Sequence, residues 1–288
     1  MMPSPISLSR DLVLVGGGHA HALVLRMWSM DPLPGARLTL IDPAPMAPYT
    51  GMLPGLVAGH YRRDALEIDL VRLARFAGAR LLIGAVTDID AQARRITVAG
   101  HGEIGYDVAS IDIGIHSGMP DLPGFAAHGT AAKPLGPLAA GWDGFVARVT
   151  AAEAAPQAAV IGGGIAGIEL AMAMAHRLRQ SVRDPDAVEV TLIERAAQIA
   201  PETPATRPCL LRALDQMGVR VLTDTQVAEV TAAGVVLEGG GRVRAGFVVG
   251  AAGARAHPWI ARTGLPVTDG GFLRVGPDLR VAGMETLF

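Results

Sequence analysis

Two glycine loops hold the residues whose types and spacing can do chemistry. In VLVGGGHAHALVL, Gly16, Gly17 and Gly18 follow a short apolar strand, Leu12–Val15, and precede a helical stretch from His19 to about Met30. Further on, Gly162, Gly163, Gly164 and Gly167 follow the strand Ala158–Ile161 and open an alanine-rich helix reaching about Arg179. A first glycine allows a tight strand-to-helix turn. A second lets the backbone approach a pyrophosphate, and a third lets helix pack closely on strand. The helix N-terminus then offers free N–H groups and a positive dipole end to phosphate oxygens. Each helix is followed by a second strand ending on an acid, Arg37–Ile41 on Asp42 and Val188–Ile193 on Glu194. An acid there accepts hydrogen bonds from an adenosine ribose. One glycine pattern is weak evidence. Two copies, each with strand, glycines, helix, strand and acid, point to two dinucleotide sites.

The first copy departs from the pattern at its sixth loop position, where His21 replaces the third glycine. Three readings compete. His19 and His21 could ligate a metal, but residues two apart on a helix face different ways, and no nearby cysteine or carboxylate completes a set. Neutral His21 could donate a hydrogen bond toward a cofactor, since the helix dipole disfavours its cationic form. Or it is a packed, hydrogen-bonded imidazole. Asp42 has a plainer alternative too, as a turn-forming aspartate before Pro43.

The elements that must position these residues are repeated as well. After the first copy come RLLIGAVTDI, RRITVAG and YDVASIDIGI; after the second, VRVLTDTQVAEV, GVVLEGG and RVRAGFVVGAAG. Short β-branched runs divided by turn residues read as a β-meander in each case. The expected fold class is α/β, with two Rossmann-like domains of three layers (ββα), each carrying a meander.

Composition narrows the function. The 288 residues suggest two domains, and half of them are hydrophobic. A net charge of -2 offers no basic field for nucleic acid. The single cysteine, Cys209, excludes a disulfide or dithiol pair within this chain and fits a reducing, cytoplasmic setting. In RPCLLRALDQMGV it reads as a core-facing helical thiol. MMPSPISLSRD lacks the apolar core of a signal peptide, and no apolar run is long enough to span a membrane. The 25 basic residues include one lysine, Lys133. Its retention suggests a position that needs a compact ammonium, against chance survival in an arginine-biased chain.

With both loops, both acids and the strings YDVASIDIGIHS and FVVGAAGARAHPW, the sequence resembles the two-dinucleotide flavoproteins, the pyridine nucleotide-disulfide oxidoreductases in the broad sense. GGGHAHALVL and YTGMLPGLVAGHY most resemble FAD-dependent oxidoreductases fused to, or encoded beside, selenide, water dikinase. Those are similar in turn to type II NADH dehydrogenases. The resemblance implies that Gly16, Gly18, His19, His21 and Asp42 serve FAD, with Tyr49, Gly51 and Pro54 beside its ring. It implies that Gly162, Gly164, Gly167 and Glu194 serve the nicotinamide dinucleotide. Glu194 repels a 2′-phosphate and favours NADH over NADPH, although Arg195 beside it could accept one. Glu169 is implied at the flavin–nicotinamide junction, and Lys133 is the candidate charge near the flavin.

The resemblance also implies an insertion: FAD domain over 1–120, NAD(P)H domain over 121–252, and a second FAD part over 253–288. The family's redox cysteine pair is missing from PYTGMLPGLVAGHYRR. The sequence ends at Phe288, ahead of the family's Gly-Asp pair, so a shortened chain is expected. The expected activity is FAD-dependent NADH oxidation with transfer to a small-molecule acceptor, a quinone or a selenium or sulfur species. The rival is a non-catalytic dinucleotide-binding fragment. Expected partners are the acceptor, a selenide, water dikinase domain or protein, and a second copy in a homodimer.

Overall fold

The computed structural model describes residues 9–117, 119, 121–200 and 204–288. Most of the N-terminal stretch MMPSPISLSRD, with its expected lack of a signal peptide, lies outside these residues. The chain divides into two compact units. The first comprises the chain up to Tyr49, Glu67–Ile115 and Arg255–Phe288; the second comprises Thr50–Leu66 and His116–Ala254.

The first unit is built on four parallel strands: β1 (Arg10–Val15), β2 (Ala36–Asp42), β3 (Arg80–Ile83) and β4 (Val108–Ile111), in the order β3-β2-β1-β4. Helix α1 (His19–Met30) connects β1 to β2. Strand alternation divides the apolar residues between the two faces. Leu14, Leu38 and Leu40 bury against Leu25 of α1 and Leu70 of the helix Leu70–Ala77. Val13, Val15 and Ile41 bury against Ile89, Ile96 and Val98 on the opposite face. Those last three belong to an antiparallel meander, Val86–Asp90, Arg95–Val98 and Gly102–Gly105. The layers are therefore meander, parallel sheet and helices. The chain's last residues run parallel to β4, with the Phe288 N–H donating to the Ala109 carbonyl.

The second unit repeats this plan. Strands β5 (Gln157–Ile161), β6 (Glu189–Ile193), β7 (Val219–Leu222) and β8 (Phe247–Gly250) lie in the order β8-β5-β6-β7, all parallel, with Thr130–Ala131 on the outer edge of β8. Helices α2 (Leu135–Thr150) and α3 (Ile165–Ser181) cover one face, packing on Ala158, Val160, Val190 and Leu192. Ala159, Ile161 and Val248 face the meander Val227–Thr231, Gly234–Leu237 and Arg242–Arg244. Both units are thus Rossmann-like three-layer folds, as the repeated pattern predicts.

Three details differ from the sequence reading. Arg80–Ile83 and Val108–Ile111, expected in the first meander, are strands of the parallel sheet, as are Val219–Leu222 and Phe247–Gly250 in the second. A short apolar β-branched run does not reveal whether its partner is the next strand or a distant one. Thr50–Leu66, assigned above to the first domain, groups with the second unit. Leu53, Leu56 and Val57 bury in the second unit's core, and Trp142 of α2 donates its indole N–H to the Val57 carbonyl at 2.9 Å. Cys209 is exposed rather than core-facing. Its helix, Arg207–Gln216, buries only Leu214, and Arg212 donates to the Cys209 Sγ at 3.2 Å.

Candidate dinucleotide-binding sites

Both glycine loops lie at the C-terminal ends of parallel strands, where open α/β sheets bind ligands. In each, the loop is tied to its acid. The Gly17 N–H donates to Asp42 Oδ2 at 2.7 Å, and the Ala44 N–H to Oδ1 at 2.9 Å. The Gly163 N–H donates to Glu194 Oε2 at 2.6 Å, and the Ala196 N–H to Oε1 at 2.7 Å. The same lock is built twice from residues that match in position. A carboxylate has about four acceptor sites, so each acid can still receive ribose hydroxyls. Burial pushes the Asp42 carboxyl up from its ordinary value, against the two N–H donors, which pull it down.

The glycines are required by space. Gly16 and Gly162 have positive φ, 92° and 115°, a region side chains rarely adopt. A Cβ at Gly16 would lie 2.2 Å from the Asp112 carbonyl oxygen, and one at Gly162 would lie 2.7 Å from Ala252 N. A Cβ at Gly167 would lie 1.9 Å from the Gly162 carbonyl oxygen, so α3 approaches β5 as only glycine permits. In front of Gly164 nothing lies within 4 Å. That open cradle at the N-terminus of the 17-residue helix α3 fits a diphosphate.

The first loop solves the third-glycine problem differently. His21 is 2% exposed, and its Nδ1 lies 2.7 Å from the Gly16 carbonyl oxygen, the counterpart of the carbonyl that Gly167 crowds. Its Nε2 lies 2.9 Å from Ser110 Oγ on β4. A glycine contact is replaced by a hydrogen bond. Burial lowers the His21 pKa below the ordinary histidine value, outweighing the Gly16 bond and the Asp112 charge, both of which raise it. Of the readings open for His21, the geometry matches the packed, hydrogen-bonded imidazole: both ring nitrogens have partners inside the fold. His19 points the other way. It is exposed, with its ring centroid 5.9 Å from that of Tyr49.

The remaining predicted residues fall in both units. Tyr49 belongs to the first unit, whereas Gly51 and Pro54 belong to the second, in the short helical turns Thr50–Met52 and Leu53–Val57. Glu169 is exposed at the fifth residue of α3, two residues after Gly167. Lys133 precedes α2, and its N–H donates to the buried Ser117 Oγ at 2.6 Å. Arg195 is exposed beside Glu194.

Sequence reading missed Asp112. Its carboxylate Oδ2 accepts from the Ala20 and His21 N–H groups, at 3.1 and 3.3 Å, at the start of α1. Laying the two repeats side by side would have exposed it, because Ala251 holds the matching place. The Asp112 N–H bonds Val15 O as the Ala251 N–H bonds Ile161 O.

A cavity of about 890 Å³ lies at the far end of α3, lined by Val149, Pro156, Gln180 and Asp184 among others, well away from the loops. Among the described residues no helix is long and apolar enough to cross a membrane.

Comparison with known proteins agrees with this geometry. Residues 10–288 match the pyridine nucleotide-disulphide oxidoreductase family. An NADH dehydrogenase-like protein of Mycobacterium tuberculosis is 32% identical over 245 residues, which cover 80% of this chain and 59% of that protein. The chain therefore spans less than two thirds of that relative. A demethylphylloquinone reductase of Synechocystis is 25% identical over 288 residues, 96% of this chain and 70% of that protein. Among solved structures, NDH2 of Plasmodium falciparum in complex with NADH aligns with a TM-score of 0.81 at 17% identity, over 97% of this chain and 63% of that one. At that identity the likeness speaks to fold alone. The match from residue 10 to residue 288, together with the twice-built loop and acid, places this chain in the pyridine nucleotide-disulphide oxidoreductase family.

Proposed function

We propose that the chain binds FAD through its first loop and NADH, in preference to NADPH, through its second, and serves electron transfer from NADH to a small acceptor of the quinone class. The observation that carries this reading is the repeated lock, Gly17 to Asp42 and Gly163 to Glu194. A bound flavin supplies the redox chemistry, and the protein supplies binding, orientation and electrostatics.

In the second unit, Gly162 turns the chain, Gly164 leaves room for the diphosphate, and Gly167 seats α3 so that its N-terminal N–H groups meet it. Glu194 accepts the adenosine ribose hydroxyls and disfavours a 2′-phosphate. Glu169, exposed one turn along α3, stands on the nicotinamide side. In the first unit, Gly16 and Gly18 form the loop, His21 holds it, and Asp42 takes the ribose. Lys133 is the proposed cation that steadies the reduced flavin. The quinone class is supported by the name of the Synechocystis relative, and by the absence from this chain of the second cysteine that thiol exchange would need. The two short strings noted above support a selenide, water dikinase domain or protein as partner.

Calorimetric titration with each nucleotide tests the specificity. NADH is expected to bind at least tenfold more tightly than NADPH, the penalty of placing a phosphate beside Glu194. Glu194→Ala is expected to narrow that gap. Equal binding of the two nucleotides by the unaltered chain would contradict the assignment.

A further inference from the structure

Besides carrying His21 where the second has Gly167, the first loop differs from the second at one further place. In the second unit the space before Gly164 is open. In the first, the corresponding Gly18 faces the Asp112 carboxylate so closely that a Cβ at Gly18 would fall 2.2 Å from Asp112 Cγ. Helix α1 has no N-cap hydrogen bond from its own cap residue, because that residue is Gly18. Asp112, far along the chain, provides it instead by accepting from Ala20 and His21. The place where a dinucleotide's diphosphate would meet α1 thus already holds an anion belonging to the protein. Ala251, at the matching place in the second unit, cannot do this.

We propose that Asp112 acts as an internal stand-in for the diphosphate: it caps α1 in the free protein and must give up those N–H groups when a dinucleotide binds, which lowers the affinity of the first loop. The proposal rests on the reading that the first unit takes FAD. Its physical basis is the cost of like charges brought together and the exchange of one set of hydrogen bonds for another. Neither cost arises at the second loop. The first site is then tuned for reversible loading, and Asp112 is its affinity-setting residue.

The test is the dissociation constant for FAD, read by flavin fluorescence on the full chain, for the unaltered protein, Asp112→Asn and Asp112→Ala. Asparagine keeps an acceptor for the Ala20 and His21 N–H groups and removes the charge, so the fold retains its cap. Alanine vacates the place. Both variants are expected to bind FAD about tenfold or more tightly than the unaltered chain, with NADH binding unchanged. The reciprocal variant, Ala251→Asp, is expected to weaken NADH binding by a similar factor and leave FAD binding as it was. Equal or weaker FAD binding by both Asp112 variants would overturn the proposal and leave the FAD assignment standing. Failure of all the proteins to take up FAD while NADH still binds would overturn the FAD assignment, and the proposal with it.

Discussion

At the scale of single residues, the site depends on atoms that cannot be larger than they are. Gly167→Ala would drive a methyl group against the Gly162 carbonyl, which is backbone and has nowhere to go. It is expected to destabilise the chain by about 1–3 kcal/mol, read as a lower urea midpoint, and to abolish NADH binding. A variant that melts and binds normally would show that α3 does not pack as described. Glu194→Gln keeps the shape and loses the charge, and is expected to weaken NADH binding by roughly tenfold, since hydrogen bonds to charged groups are worth about 1.5–3 kcal/mol; calorimetry reads it directly. The glycines and both acids were legible in the sequence because their roles are local: a turn, a close approach, a strand end. Asp112 was not. It meets α1 only through the pairing of β4 with β1, so its own neighbours do not announce it, and only the comparison with Ala251 in the second repeat points to it.

At the scale of elements, the first loop is held by an imidazole where the second is held by an absence of side chain. His21 joins α1 to the Gly16 turn and to β4 through two hydrogen bonds. Because burial holds its pKa below the ordinary value of about 6.5, the unfolded chain takes up a proton before the folded one as pH falls. The contribution of neutral His21 to stability is therefore complete above about pH 6.5 and declines below it, down to the folded-state pKa. His21→Asn is expected to lower stability at neutral pH by about 1–3 kcal/mol and to flatten the fall in melting temperature between about pH 7 and 5. Parallel melting curves for the two proteins would contradict the placement of His21.

Elements were legible to the extent that their period decides them. The helices after both loops begin and end close to where their apolar spacing placed them. The meanders were blurred because a β-branched run of four or five residues looks alike in a central parallel strand and in a hairpin. Thr50–Leu66 was misassigned because its apolar residues say that it is buried, and not which core buries it. The bond from Trp142 to Val57 answers that, and it spans 85 positions of sequence.

At the scale of the whole molecule, one architecture is used twice, and its layers follow from strand alternation in each unit. Internal repetition was the strongest signal in the sequence, because it let two individually weak patterns support one another. Repetition also makes the differences informative: His21 against Gly167, and Asp112 against Ala251. The central claim is that the two loops serve one redox pair, FAD and NADH. The measurement that tests it most directly is the visible spectrum of the purified chain supplied with FAD, followed by anaerobic addition of NADH. The account predicts a bound flavin band near about 450 nm that bleaches on adding NADH. A chain that stays colourless with FAD present, or a bound flavin that NADH leaves oxidised, would contradict it.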